Sequence, residues 1–413
     1  MRFQKTFVVL TGLTIAVSAM GDDIIDFSSA VPKWSDDNMS GVAQMIETSI
    51  EGDAFIVCYQ QTTGTNYVFA VNDSVTGELE DVAALSAMEI YGLAYSSSVE
   101  RLAISFLDLQ GVPKTILFGT DGLPMRTFSG TSMVAFDSSG VSMAVAGAGS
   151  PYVEVASLST GESTRVFVCE LPMTTPNSIA IATENDGSEG VVGAVGEMGS
   201  MTVWDLPTGD TLFTHFTVGD GDMVSIAFAP GCTYVGGGGE GEEAAFDADN
   251  ATLSVFALPG SGEVTGQRVY HGELEQNIAE KIHFTASEEQ LLVSGRTDST
   301  LSVTAIDWRE ETTAPVQIVL DNGDTEAVND FAFSVQEMVW ATAGTNGVMA
   351  FVPETGSECP EDLDGNGVID GGDLAQLLGE WQGSNAASDF DGNGIVDGAD
   401  LSALLAAWGA CGS

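Results

Sequence analysis

Two short runs near the C terminus hold the residues whose types and spacing could do chemistry. Asp362, Asp364, Asn366, Asp370 and Asp373 stand at positions 1, 3, 5, 9 and 12 of a twelve-residue run, with Gly367 at position 6. Asp389, Asp391, Asn393, Asp397 and Asp400 repeat those positions 27 residues later, with Gly394 at position 6. Oxygen donors at this spacing, around a glycine that permits a sharp turn, suit a hard divalent cation of calcium's size. Four carboxylates converge in each run and repel one another unless a cation joins them, so metal binding and local folding should be coupled. Magnesium fits less well, because it demands a small octahedral shell and keeps its waters. Two Ca2+ ions are therefore expected.

The elements that must position these loops are helices. Leu374, Leu377, Leu378 and Trp381 follow the first run at i, i+3, i+4 and i+7, and Leu401, Leu404, Leu405 and Trp408 repeat the stripe after the second. Each stripe predicts an amphipathic helix, and the two apolar faces are expected to bury each other. Asp373 and Asp400 fall at the helix starts, where negative charge is favourable.

Paired loops of this kind, each followed by a helix, resemble the type I dockerin domain. The resemblance implies a first site using Asp362, Asp364, Asn366, the Val368 carbonyl, Asp370 and Asp373. It implies a second using Asp389, Asp391, Asn393, the Ile395 carbonyl, Asp397 and Asp400. Asp in place of Glu at position 12 is normal in dockerins and departs from ordinary EF-hands. Dockerins bind cohesin modules, so the resemblance implies a cohesin-like or other surface protein as partner. Where dockerins carry hydroxyl residues before the last ligand, this chain has Gly371-Gly372 and Gly398-Ala399.

The rest of the chain reads as cargo. Its 413 residues include 60 Asp and Glu against 11 Lys and Arg, a formal charge of -49. Such a surface repels nucleic-acid phosphates and anionic membranes. Residues 1–21 read as a signal peptide, with Arg2 and Lys5 ahead of a short apolar run and small residues at the cleavage point, so the protein is expected to be secreted. Five cysteines are an odd count for an exported chain. The economical pairing joins Cys359 to Cys411, which flank the duplicated runs, and leaves Cys58, Cys169 and Cys232 as small buried or partly buried thiols.

Between about residues 40 and 356 the chain is short alternating strands separated by Gly, Asp, Ser and Thr turns, a pattern of mainly β architecture. A small-plus-aromatic strand recurs, ending at Tyr95, Phe136, Ile181, Phe228, Phe284 and Phe333, with a weaker first copy at Ile46. The spacings of 49, 41, 45, 47, 56 and 49 residues are each the length of one propeller blade. Seven anchors predict seven blades. The seventh stops at Gly356 before a fourth strand, so residues 22–38 are expected to supply that strand and close the ring. The array resembles WD40 and YVTN-type propellers, most clearly at Met201 to Gly209 with its Trp204-Asp205 pair. The expected organisation is a signal peptide (1–21), a seven-bladed β-propeller (22–356), a hinge (357–360) and a small α-helical, dockerin-like calcium-binding module (361–413).

The propeller holds no catalytic constellation. His215, His271 and His283 fall in different blades, and His283 reads as a satisfied core histidine. Trp308 and Trp340 read as packing between blades rather than as sugar platforms. Gly236 to Asn250 reads as a solvated, acidic, glycine-rich insertion. The leading expectation is a non-catalytic propeller that binds a protein or glycan and is attached through the calcium module. The alternative, implied by the company dockerins keep, is a glycoside hydrolase or polysaccharide lyase of polysaccharide catabolism.

Overall fold

The computed structural model describes residues 30–36, 41–61, 64–147, 149–169, 173, 175–183, 190–216, 221–240, 251–274, 278–285, 288, 290–297, 300–309, 316–319, 328–334, 339–344, 347–353, 363, 368–369, 371–383, 388, 390 and 395–410. The chain forms two units, one up to Pro353 and one from Glu354. The first is a seven-bladed β-propeller of four-stranded antiparallel sheets, each a meander from an inner to an outer strand. Among the described residues no helix is long and apolar enough to cross a membrane.

Burial within a blade falls from the second strand outward. Ala54–Gln60 is buried at every position but the last, since blades cover both of its faces. The outer strands Pro124–Ser129 and Ser163–Val168 bury only Phe128 and Phe167. The third and fourth strands meet at turns that need a left-handed residue, supplied by Gly77 (φ +73°), Gly122 (φ +71°), Gly161 (φ +71°) and Gly209 (φ +83°). Asp73 and Asp205 brace two of these turns by accepting from the Thr76 and Thr208 amides at 2.6 and 2.8 Å.

The seventh blade takes its outer strand from the other end of the chain. Ala30–Asp36 pairs antiparallel with the third strand of that blade, from Ala30 opposite Pro353 to Asp36 opposite Val348. The ring is therefore sealed by strand pairing between its two ends, and no blade edge is left open at the seam.

Two expectations shift. The first blade's anchor is Thr48 rather than Ile46. Six inner strands carry a β-bulge near their start, at Gln44, Tyr91, Asn177, Val224, Glu280 and Asn329. Counting four residues from each bulge gives Thr48, Tyr95, Ile181, Phe228, Phe284 and Phe333. Thr48 is polar where the other five are large and apolar, so a pattern sought in side-chain type settles two residues early on Ile46. Second, Gly236 to Gly239 is the buried end of a second strand, Tyr234–Gly239, and not part of an insertion. A Cβ on Gly237 would stand 2.5 Å from Met201 Cε, and one on Gly238 would stand 2.8 Å from Ala279 Cβ. The glycines are there because neighbouring blades press on this strand. Residues 241–250 of the acidic run lie outside the described residues.

In the C-terminal unit, helices Gly371–Gly379 and Gly398–Ala406 accompany a two-stranded ladder of Val368–Ile369 with Gly409–Ala410. Ile369, Leu377, Val396 and Leu404 form its core.

Candidate functional site

The C-terminal unit repeats itself in space with the 27-residue offset seen in the sequence. Ile369 and Val396 are buried, Asp373 and Asp400 are 0% exposed, and Leu377 and Leu404 are 0% exposed. Val368 and Ile369 pair with Ala410 and Gly409. At the corresponding place in the second half, the Val396 carbonyl accepts from Gln382 and its amide donates to Gly383, both at 2.9 Å. Gln382 and Gly409 are themselves 27 residues apart, and both have positive φ (64° and 134°). Each loop is therefore tied to the residues that follow the opposite helix.

Two position-12 carboxylates buried in a sixty-residue unit need compensation, because an isolated buried charge is costly. Asp400 accepts from the Phe390 amide at 2.8 Å and the Asp397 amide at 2.7 Å. Asp397 caps the second helix, accepting from the Ala399 amide at 2.8 Å, so Asp397 and Asp400 form a capping box. The helix start thus holds position 12 pointing back into its loop, which is where a divalent cation would be met. Of this donor set Asp373 and Asp400 are buried, and carboxylate oxygens are the donor chemistry that Ca2+ takes. Of the twelve expected ligands, Val368, Asp373, Ile395, Asp397 and Asp400 are described; Asp362, Asp364, Asn366, Asp370, Asp389, Asp391 and Asn393 lie outside the described residues, as do Cys359 and Cys411.

The expected burial of the two apolar stripes against each other is half met. Leu377 and Leu404 are buried, but Leu378 and Leu405 are 50% and 52% exposed, and Trp381 and Trp408 are 40% and 48% exposed. Nine-residue helices give one inward row each, and each leaves an exposed Leu and Trp on its outer side.

In the propeller, a central channel of about 540 Å³ runs between the inner strands. Three residues beyond each bulge, alanine recurs as Ala94, Ala180, Ala227 and Ala332, and the exceptions are Glu47 and His283. Lys281 joins three blades beside them. Its Nζ lies 2.8 Å from Glu47 and 3.0 Å from Asp330, and it donates to the carbonyls of Ile46 and Phe331 at 2.9 and 3.0 Å. Burial alone would lower the Lys281 pKa, but the Asp330 and Glu47 carboxylates hold it above the ordinary lysine value. Burial raises the Glu47 pKa, partly opposed by Lys281. His283 is kept neutral, its pKa pushed down to about 3 by burial and then by Lys281. It packs edge-on against Phe331 and Phe333, and its Nε2 has no hydrogen-bond partner among the described residues. It is a channel-wall histidine, not the satisfied core residue expected.

Bulge residues latch neighbouring blades. Asn177 Nδ2 donates to the Met223 carbonyl at 3.1 Å, and Asn329 Nδ2 donates to the Ala43 carbonyl at 2.8 Å. Each acceptor immediately precedes the next blade's bulge. Trp308 and Trp340 are 4% and 2% exposed, so they pack and do not form sugar platforms. Cys58, Cys169 and Cys232 are buried, and burial pushes the Cys169 thiol up to about 11. A scan of protein-family models matches none to this chain, and a search of curated proteins finds no relative. Among the described residues no group of three or more His, Cys, Asp or Glu gathers into a metal cluster.

Proposed function

We propose that the chain is a secreted, non-catalytic binding propeller attached to a partner by a calcium-dependent, dockerin-like module. The observation that carries the reading is the duplicated ligand spacing, matched by a 27-residue repeat of buried acid, buried leucine and strand pairing. In this reading Ca2+ supplies the charge that lets each set of carboxylates converge. Asp362, Asp364, Asn366, the Val368 carbonyl, Asp370 and Asp373 hold one ion, and the equivalent residues from Asp389 to Asp400 hold the other. Leu378, Trp381, Leu405 and Trp408 then offer an apolar face to a cohesin-like or other surface protein.

Calorimetric titration of the metal-stripped chain with calcium should show two equivalents. Asp373→Ala with Asp400→Ala should abolish both. A single equivalent, or a stoichiometry unchanged by the double substitution, would remove the module from the proposal. For the propeller, a panel of polysaccharides should give no turnover. Turnover abolished by single Asp or Glu changes on one ring face would replace the binding reading with an enzymatic one.

A further inference from the structure

The blade meander puts three kinds of segment at one end of the ring. These are the starts of the inner strands, the connections from second to third strand, and the connections from each outer strand to the next blade. On blades 2 to 4 this end is unusually apolar. Met88 leads into blade 2 and donates its amide to the Leu107 carbonyl, beside the connection that carries Leu109 and Val112. On blade 3, Tyr152 and Val168 face each other across paired strands. On blade 4, Met198 tips the second-to-third turn and Phe216 follows the outer strand. All are 41–52% exposed. At the opposite end Val75 and Leu79 share one turn of blade 1, and Leu123, Val141 and Val264 stand one to a turn.

Met198 adds an independent observation. It sits at φ +56°, followed by Gly199 at φ +61°, in a tight turn whose central positions favour Asn or Gly. The Asp222 carboxylate fixes this turn by accepting the Met198 amide at 3.0 Å. A bulky, flexible thioether is thus kept at the exposed tip of a turn that disfavours it. Strain held in place by surrounding structure is a pointer to function, and exposed methionine adapts well to apolar partners.

Charge selects the partner. Glu89 and Glu197 are exposed on this end, and Asp222 is half-buried. The connections named here contain no described Lys or Arg, and Lys114, two residues beyond Val112, is ion-paired with Asp108. An apolar crescent with a carboxylate rim complements apolar side chains flanked by basic ones.

We propose that this end of the propeller, over blades 2 to 4, binds a polypeptide carrying apolar residues flanked by Lys or Arg. The proposal rests on the reading of the propeller as a binding module and names its ligand class. Aliphatic and thioether side chains make up five of the seven crescent residues, with Tyr152 and Phe216 as its aromatic rings, and Trp308 and Trp340 are buried.

The test is selection of a random dodecapeptide phage library on the full chain, with a glycan array as the parallel arm. Enriched peptides should combine apolar with basic residues. They should bind the Met198→Asn, Leu109→Ser double variant about tenfold more weakly and a Leu123→Ser chain as tightly as the parent. Asn tolerates positive φ better than Met, so the double variant should melt no lower than the parent, which separates lost binding from lost folding. The proposal is overturned if no peptide is enriched, if the peptides lack basic residues, or if the double variant binds them as well as the parent does. A glycan ligand lost in the double variant would overturn it too. Each of these leaves the binding module itself standing, and only polysaccharide turnover removes both.

Discussion

His283 stands where four other inner strands carry alanine, and its environment makes a pH prediction. Its folded-state pKa lies at about 3, against an ordinary value of 6.5. The unfolded chain takes up the proton first as pH falls, so folding stability is full above pH 6.5 and declines as pH falls towards 3. At pH 5 the loss from this one group is about 2 kcal/mol relative to neutral pH. In His283→Asn the difference in urea-unfolding free energy between pH 7 and pH 5 should shrink by about that amount. An unchanged difference would mean the imidazole is protonated within the folded channel. The duplicated Asp and Asn spacing, at fixed positions, could be read directly from the chain. The Glu47–Lys281–Asp330 cluster could not, because its members lie on three blades and meet only when the ring closes. Met198 carried no signal either, since a methionine's exposure and φ have no pattern in one sequence.

At the scale of elements, inner and second strands were legible because they are buried on both faces and read as apolar runs with small residues. Outer strands were not, since Pro124–Ser129 and Ser163–Val168 each bury a single aromatic. The exception is the closing strand, which was inferred from the fourth strand the seventh blade lacked. Ala30–Asp36 spends its backbone hydrogen bonds on Gly347–Pro353, the third strand of that blade. Deleting residues 22–38 should expose that strand as an open edge, lower the melting midpoint by at least about 5 °C and promote association. Calorimetry with light scattering reads both effects. A truncated chain that melts with the parent would show that the pairing adds nothing to ring stability. The glycine run from Gly236 misled for a related reason: composition alone reads as a loop, and only the approach of Met201 and Ala279 shows why a strand there must lack side chains.

For the molecule as a whole, a formal charge of -49 makes self-repulsion a global term. The residues from Glu354 to Ser413 include twelve Asp and Glu and no Lys, Arg or His, so repulsion in that unit is uncompensated by any base. Monovalent salt acts on both units by screening, with a Debye length falling from roughly 30 Å at 0.01 M to about 3 Å at 1 M. Calcium acts by mass action on whatever binds it, which in the proposed reading is the C-terminal unit. Two units with separate cores should unfold in two transitions. Raising NaCl from 0.01 to 0.5 M is expected to move both transitions upward by several degrees, about 5 °C. Calcium at about 2 mM should raise the C-terminal transition alone, and magnesium at the same ionic strength should raise it much less. If calcium, magnesium and NaCl at matched ionic strength shift that transition equally, the acidic loops respond to screening only, and the duplicated spacing holds no ion.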